Sequence, residues 1–368
     1  MIFRAYQTQD AVSGNIGVPA QKAATDLLSC YLAAAWVALT LYGSLYPFSD
    51  WQMAGDPLAF VEWAWPRYWS VFDCAANVVV YVPTGFLLMM ALRRLLGRGG
   101  AAVAAIFLAS LLSFTLEALQ AWLPSRFSSN LDWACNTLGA SLGCGVAGCA
   151  GEHLSRWWHG FRASSIASLP YVDIGLTLLG LWLLTLLSPE ILLFGVGDLR
   201  QILPSLPTLP YDPETYHSVE CAVIVSNFLA IGLFCGAMTR GRWRAYWVTP
   251  CFFLLAALAR SLGAATLMGA DAFFAWWTPS VRAGLMLAAP LLALALLLPP
   301  LWRLTLAALG LLAGAMLVNL TPQNPYSYTA LMLWKQGHFL NFNGLTRWVA
   351  TVWPFLALPY LFVSVRKV

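Results

Sequence analysis

The sequence predicts an all-α, polytopic helical membrane protein, and three observations predict it. Hydrophobic residues make up 60% of the 368 residues and charged residues only 10%. Apolar stretches of membrane-crossing length recur along the whole chain, and Lys and Arg collect on alternate connections between them. Crossing roughly 30 Å of hydrocarbon takes about 20 helical residues. About ten transmembrane helices are therefore expected, near residues 27–46, 73–92, 101–123, 132–150, 171–188, 218–239, 245–268, 281–298, 302–319 and 347–364. Residues 1–26 are polar and lack the basic, apolar and small-residue pattern of a cleaved signal, so they are expected as a cytoplasmic tail before a retained first span.

Cytoplasmic loops hold an excess of Lys and Arg. With the N-terminus inside, Arg4, Lys22, Arg93, Arg94, Arg98, Arg156, Arg162, Arg240, Arg242, Arg244, Arg303, Arg366 and Lys367 fall on inner segments, while most acids fall outside. This places both termini in the cytoplasm of a multi-pass inner (plasma) membrane protein. The net charge of +4 then reflects inner arginines meeting anionic headgroups and points to no nucleic acid. The eight cysteines sit in or beside apolar runs without a C-x-x-C pair and are expected as small hydrophobes. The four histidines have no ligand spacing, so neither a metal site nor a cofactor is expected.

The second span carries Asp73, Asn77, Tyr81 and Thr84 on one helical face, with Pro83 expected to bend the helix and free a carbonyl. The third carries Ser110, Ser113, Glu117 and Gln120 as a polar stripe. Glu117 is the only charge between Ala101 and Leu123. Counted back from Pro124, it lies roughly 10 Å below the outer helix end, in the membrane but within reach of outer water. An ionisable group there marks a site or a buried partner. The connection 124–132 is rich in breakers, and Asp132 or Asn130 is expected to cap the fourth helix. Asn136 and Thr137 lie about one turn in, beside Gly139-x-x-x-Gly143, whose small residues permit close helix contact. The stretch 151–170 is expected as a cytoplasmic linker. A six-helix C-terminal membrane domain, 171–368, follows with two long outer loops, the proline-rich 189–217 and the aromatic 320–346 with Trp334, Phe339 and Phe342. Those loops either cover the outer mouth or merely seal the bundle.

Tyr42-Gly-Ser-Leu-Tyr46-Pro-Phe, Asn77-Val-Val-Val-Tyr-Val-Pro-Thr-Gly-Phe86, Glu117-Ala-Leu-Gln120, Arg126 and Leu131-Asp132-Trp-Ala-Cys-Asn136-Thr137-Leu-Gly139 occur in this order. Together they resemble the VanZ-like membrane proteins over a four-helix domain at residues 27–150. The extra spans, and the stretch from Asn324 to Gly344, resemble the longer Gram-negative members. The family takes its name from an accessory protein that lowers sensitivity to the glycopeptide teicoplanin. The resemblance implies a cell-envelope role and carries over Asn77, Glu117, Gln120, Arg126, Asp132 and Asn136 as signature positions.

Ser226-Asn227 to Gly232 parallels Ala76-Asn77 to Gly85, each followed by an inner basic turn, and Pro279-Ser280-Val-Arg282 parallels Pro124-Ser125-Arg126. Two readings stand: a degenerate internal repeat of parallel topology, or chance similarity between apolar segments. The repeat would bring Arg260 to the depth of Glu117, so a buried Glu117–Arg260 ion pair is one expectation for both charges. Arg126 and Asp132 at the outer mouth suit a phosphate or carboxylate ligand, or alternatively form a loop salt bridge and a cap.

Three functions remain. The favoured one is a non-catalytic binder or modulator of a lipid-linked envelope precursor, with membrane lipids as partners and a polyprenyl-phosphate-linked species as one candidate. Arg126 would meet its phosphate, Asn77, Asp132 and Asn136 its headgroup, and Arg126→Ala would lose the ligand but keep the fold. The second is an intramembrane enzyme on a lipid phosphate or lipid-linked sugar, with Glu117 or Asp132 as base, although no known catalytic set is present. The third is a lipid transporter or scramblase. No protein partner is indicated.

Overall fold

The computed structural model describes residues 19–46, 48–52, 56–62, 65–66, 69–167, 169, 171–188, 191–200, 202–203, 208–209, 212–321 and 339–367. The aromatic loop's Trp334 lies outside the described residues, and Phe339 and Phe342 are described only as backbone. Ten helices are described: α1 (Pro19–Leu45), α2 (Ala59–Glu62), α3 (Val71–Gln120), α4 (Asn130–Ser165), α5 (Val172–Thr185), α6 (Pro213–Ala237), α7 (Arg242–Met268), α8 (Pro279–Ala295), α9 (Pro300–Leu320) and α10 (Phe339–Val365). A 3-10 turn, Ala270–Phe274, links α7 to α8. No strand occurs among the described residues, only an isolated bridge between Ile166 and Thr239.

Seven helices, α1, α3 and α6 to α10, are long and apolar enough to cross a membrane. The difference from ten has local causes. The second and third expected spans are one element, α3, interrupted at Gly97, whose φ of 68° and ψ of −178° are non-helical and favour a residue without Cβ. Tyr81 shares a buried cluster with Ala109, and Met89 shares one with Ala101 and Ala105, so the arms 71–96 and 98–120 fold back on each other as an antiparallel hairpin. The fourth expected span, α4, is diluted by Gly, Ser, Thr and Asn and continues as a charged helix through most of the expected 151–170 linker. The fifth, α5, has only 14 residues, about 21 Å at 1.5 Å per residue.

Helix registers follow from glycines. A Cβ at Gly139 would collide with the Val78 carbonyl, one at Gly143 with the Val82 carbonyl, and one at Gly85 with the Ala140 carbonyl. The contact pairs advance together along both chains, so the first arm of α3 and α4 run parallel with backbones touching, the close approach that Gly139-x-x-x-Gly143 predicts. In the C-terminal half, Gly284 faces Ile224, Gly232 faces Leu292 and Gly236 faces Leu296, which makes α6 and α8 parallel in a similar register. Helix α9 runs antiparallel to α6, with Gly310 on Ala230 and Gly314 on Asn227. An aromatic core of Trp182, Phe194, Phe228, Phe252 and Phe253 fills this bundle. Helix α1 packs on α3, α5 and α10 and so joins the two halves.

Helix ends pose a separate problem, since the last four carbonyls of a helix lack internal partners. Arginines from neighbouring segments fill that role repeatedly. Arg126 Nη2 donates to Gly43 and Tyr46 at the end of α1, at 2.8 and 3.2 Å. Arg240 Nη1 donates to Ala163 near the end of α4 at 2.9 Å. Just past α5, the Ser188 and Ile191 carbonyls accept from Arg260. Arg303 reaches Gly236 in α6 and Leu298 past α8, at 3.1 and 2.8 Å. Arg200 donates to Thr321, the residue that closes α9.

The glycine contact generates a mutational expectation. Gly139→Ala should lower stability by about 1–3 kcal/mol, the usual cost of overpacking, measured as a lower Tm in detergent. Gly145→Ala, with nothing within 4 Å of the added Cβ, should leave Tm unchanged. Equal effects of the two would contradict the α3–α4 contact.

Candidate functional site

The expected site residues fall on the facing surfaces of the α3 hairpin, α4 and the loop between them. Ser70 caps α3: its hydroxyl accepts from Asp73 N–H at 3.0 Å and donates to the Asp73 carboxylate at 2.6 Å. Asn77, about a turn further in, is half-buried, and its side chain forms no hydrogen bond with any described residue.

The second arm of α3 binds α4 through its serine stripe. Ser110 Oγ accepts from Trp133 Nε1 and Thr137 Oγ1, both at 3.0 Å, and Ser113 Oγ accepts from Asn136 Nδ2 at 2.9 Å. Deeper toward the loop, Glu117 is 4% exposed. Its Oε2 accepts from Ser129 N–H at 2.8 Å, and its main-chain carbonyl accepts from Ser128 Oγ at 2.7 Å. Asp132 and Arg126 are its charged neighbours, but Arg126 forms no ion pair with it. Burial pushes the Arg126 guanidinium below its ordinary pKa, opposed by the Glu117 charge.

The cap of α4 is Ser129, whose hydroxyl accepts from Asp132 N–H at 3.3 Å, in place of the expected Asp132 or Asn130. Ser129 precedes both in the chain and is the first side chain able to reach back over the helix end. Asp132 occupies the first turn, where a carboxylate suits the helix dipole.

Two expectations are corrected here. The Glu117–Arg260 ion pair is not formed: Glu117 is answered by Ser129 N–H between α3 and α4, while Arg260 donates to carbonyls past α5 and feels Glu220 of α6. Each charge is met within its own helix group, and α1 joins those groups. Arg126 also holds more than a ligand would require, because it ties α1 to the α3–α4 loop beside Gln120, whose Nε2 donates to Ser44 at 3.0 Å. Gln120 thus serves as a clamp on α1. Arg126 keeps Nε and Nη1 without hydrogen bonds to described residues.

Tyr81, Thr84 and Ser113 belong with these groups, although only their stripe pattern pointed to them. Tyr81 Oη is buried beside Ser113 and Glu117 without a well-formed hydrogen bond, and Asn136 Oδ1 and Thr84 Oγ1 are likewise buried without partners. Each such group costs about 1–3 kcal/mol unless something satisfies it. Tyr81, Glu117 and Asn136 are thus buried, while Asn77, Gln120, Arg126 and Asp132 are half-buried. No group of three or more His, Cys, Asp and Glu suited to a metal ion occurs among the described residues.

The family model for VanZ/LLP1 matches residues 29–150. This segment is a VanZ-like domain. No curated protein and no solved structure matches the chain. All six signature positions lie inside the VanZ-like domain, and Asn136, Glu117 and Gln120 are bonded across helix boundaries within it.

Arg126→Ala should therefore destabilise the protein by about 1.5–3 kcal/mol, the scale of a charge-assisted hydrogen bond, with a lowered Tm in detergent. Arg126→Lys should recover only part of this, since one ammonium cannot reproduce the planar fork. Wild-type stability for Arg126→Ala would show that the α1 clamp is dispensable.

Proposed function

We propose that the VanZ-like domain is a non-catalytic binding site for the headgroup of a lipid-linked cell-envelope precursor, open to the extracytoplasmic face. The observation that carries this reading is the set of polar groups without well-formed hydrogen bonds to the described residues, Asn77, Tyr81 Oη and Asn136 Oδ1, on the helices that bury the Glu117 carboxylate. Carboxylate and amide oxygens suit the hydroxyls or amine of a sugar-bearing headgroup. Arg126, held by one nitrogen, has two others to offer a phosphate, and the apolar flanks of α3 and α4 suit a polyprenyl tail. Supporting the placement, the Gly97 turn and the ends of α4 and α6 share one side with Arg93, Arg98, Arg162, Arg240 and Arg303, which suits ten crossings of an inner membrane with both termini in the cytoplasm. A role in glycopeptide sensitivity belongs to the same proposal.

A second reading, a lipid transporter built from a degenerate repeat of parallel topology, is favoured by the matching parallel registers of α3 with α4 and α6 with α8.

Asn77→Ala provides the test because it removes a side chain that bonds to none of the described residues. Native mass spectrometry of the purified protein should show a polyprenyl-phosphate-linked species on wild type that is absent from Asn77→Ala, with equal Tm for both. The same phospholipids on both proteins, without a polyprenyl species, would refute precursor binding. Movement of labelled lipid between leaflets of vesicles containing the protein would favour the transporter.

A further inference from the structure

Cys74 and Cys135 are far apart in sequence and belong to no cysteine motif, yet the α3–α4 register brings them together. Gly139 meets Val78 and Gly143 meets Val82. One helical turn toward the N-terminal end of both helices, on the same faces, lie Cys74 and Cys135. Their side chains are neighbours, and both are half-buried free thiols. A disulfide requires Cα atoms about 4.4–6.8 Å apart with Cβ atoms facing. Two parallel helices whose backbones touch a turn away bring these two positions side by side, the arrangement from which that geometry is reached. The pair lies at the N-terminal ends of α3 and α4, the end that the topology above assigns to the outer, oxidising side.

We propose that Cys74 and Cys135 form a disulfide across the α3–α4 contact, made by exchange with a disulfide-bearing oxidant on the outer side. Either thiol can open the exchange once ionised, and the steps are the same with the two exchanged; with Cys74 first, its thiolate is the nucleophile. It attacks one sulfur of the oxidant, forming a mixed disulfide and expelling one oxidant thiolate. Cys135, losing its proton to that leaving thiolate or to solvent, then displaces the second oxidant sulfur from Cys74. The two cysteines lose two electrons and two protons in total, and the oxidant disulfide becomes two thiols. The bond fixes the spacing of α3 and α4 just outward of Tyr81 and Asn136. It stands independently of any lipid bound there.

The test uses the full chain in intact cells, quenched with acid, blocked with N-ethylmaleimide, then reduced and labelled with a polyethylene-glycol maleimide. Wild type should gain two labels that depend on reduction, and Cys74→Ser and Cys135→Ser should each gain none. Tandem mass spectrometry of the unreduced protein should yield the peptide pair joined through these two residues. Wild type with no reducible thiols, even after treatment of the purified protein with glutathione disulfide, would overturn the proposal. Reducible labels that persist in Cys74→Ser would overturn it as well, by assigning the bond to other cysteines.

Discussion

In hydrocarbon, a helix that ends is more expensive than a helix that continues. Each terminus leaves backbone groups that water would otherwise satisfy, and the cost of leaving them bare is several kcal/mol apiece in an apolar medium. This protein meets the problem with arginine. Arg126, Arg200, Arg240, Arg260 and Arg303 each place a guanidinium against carbonyls at or just past the end of a different helix. Such a contact offsets two costs together, because the carbonyls receive donors and the negative end of the helix dipole receives a positive charge. The planar fork also lets one side chain serve two carbonyls, as Arg126 does for Gly43 and Tyr46. The seat of α1 on the α3–α4 loop rests on one of these clamps.

The second constraint is the absence of side chains where α4 meets α3. With Gly139, Gly143 and Gly85 at the contact, the two backbones close together and the register has no freedom to slip. That closeness turns polar side chains one turn away inward. Asn136 meets Ser113, Trp133 and Thr137 meet Ser110, and Glu117 meets the N-terminal amide of the α4 cap. A carboxylate answered by a helix-start amide needs no counter-ion in contact, which is why Glu117 remains compatible with a site where an opposing arginine would have closed it.

The membrane-crossing character of the helices is legible because hydropathy over about 20 residues is a direct consequence of bilayer thickness, but their number is not, since seven described helices meet that length and composition where ten are expected. The glycine pair was legible because only small residues allow such approach. What escaped was connectivity in space. Arg260 was matched to Glu117 by depth alone, but depth along a helix does not say which neighbour it faces, and Arg260 turned to the carbonyls past α5 instead. Arg126 carried the residue type and position of an anion ligand, and its bond to the end of α1 became visible only once α1 was packed beside it. The neighbouring thiols of Cys74 and Cys135 escaped for the same reason: their pairing is a property of a helix register and of no local motif.

On the repeat proposed above, the two halves differ in one informative place. Asn227 of α6 is fully buried, with its Nδ2 turned back to the Val223 carbonyl at 3.0 Å and its side chain packed against Gly314 of α9. The C-terminal half has sealed this asparagine under a helix. Asn77, its counterpart on α3, is half-buried and bonds to none of the described residues. A half-buried amide that bonds to none of the described residues contributes less to their packing than one sealed under a helix. The C-terminal helices thus form a packed frame, joined through α1 to the α3 hairpin of the VanZ-like segment.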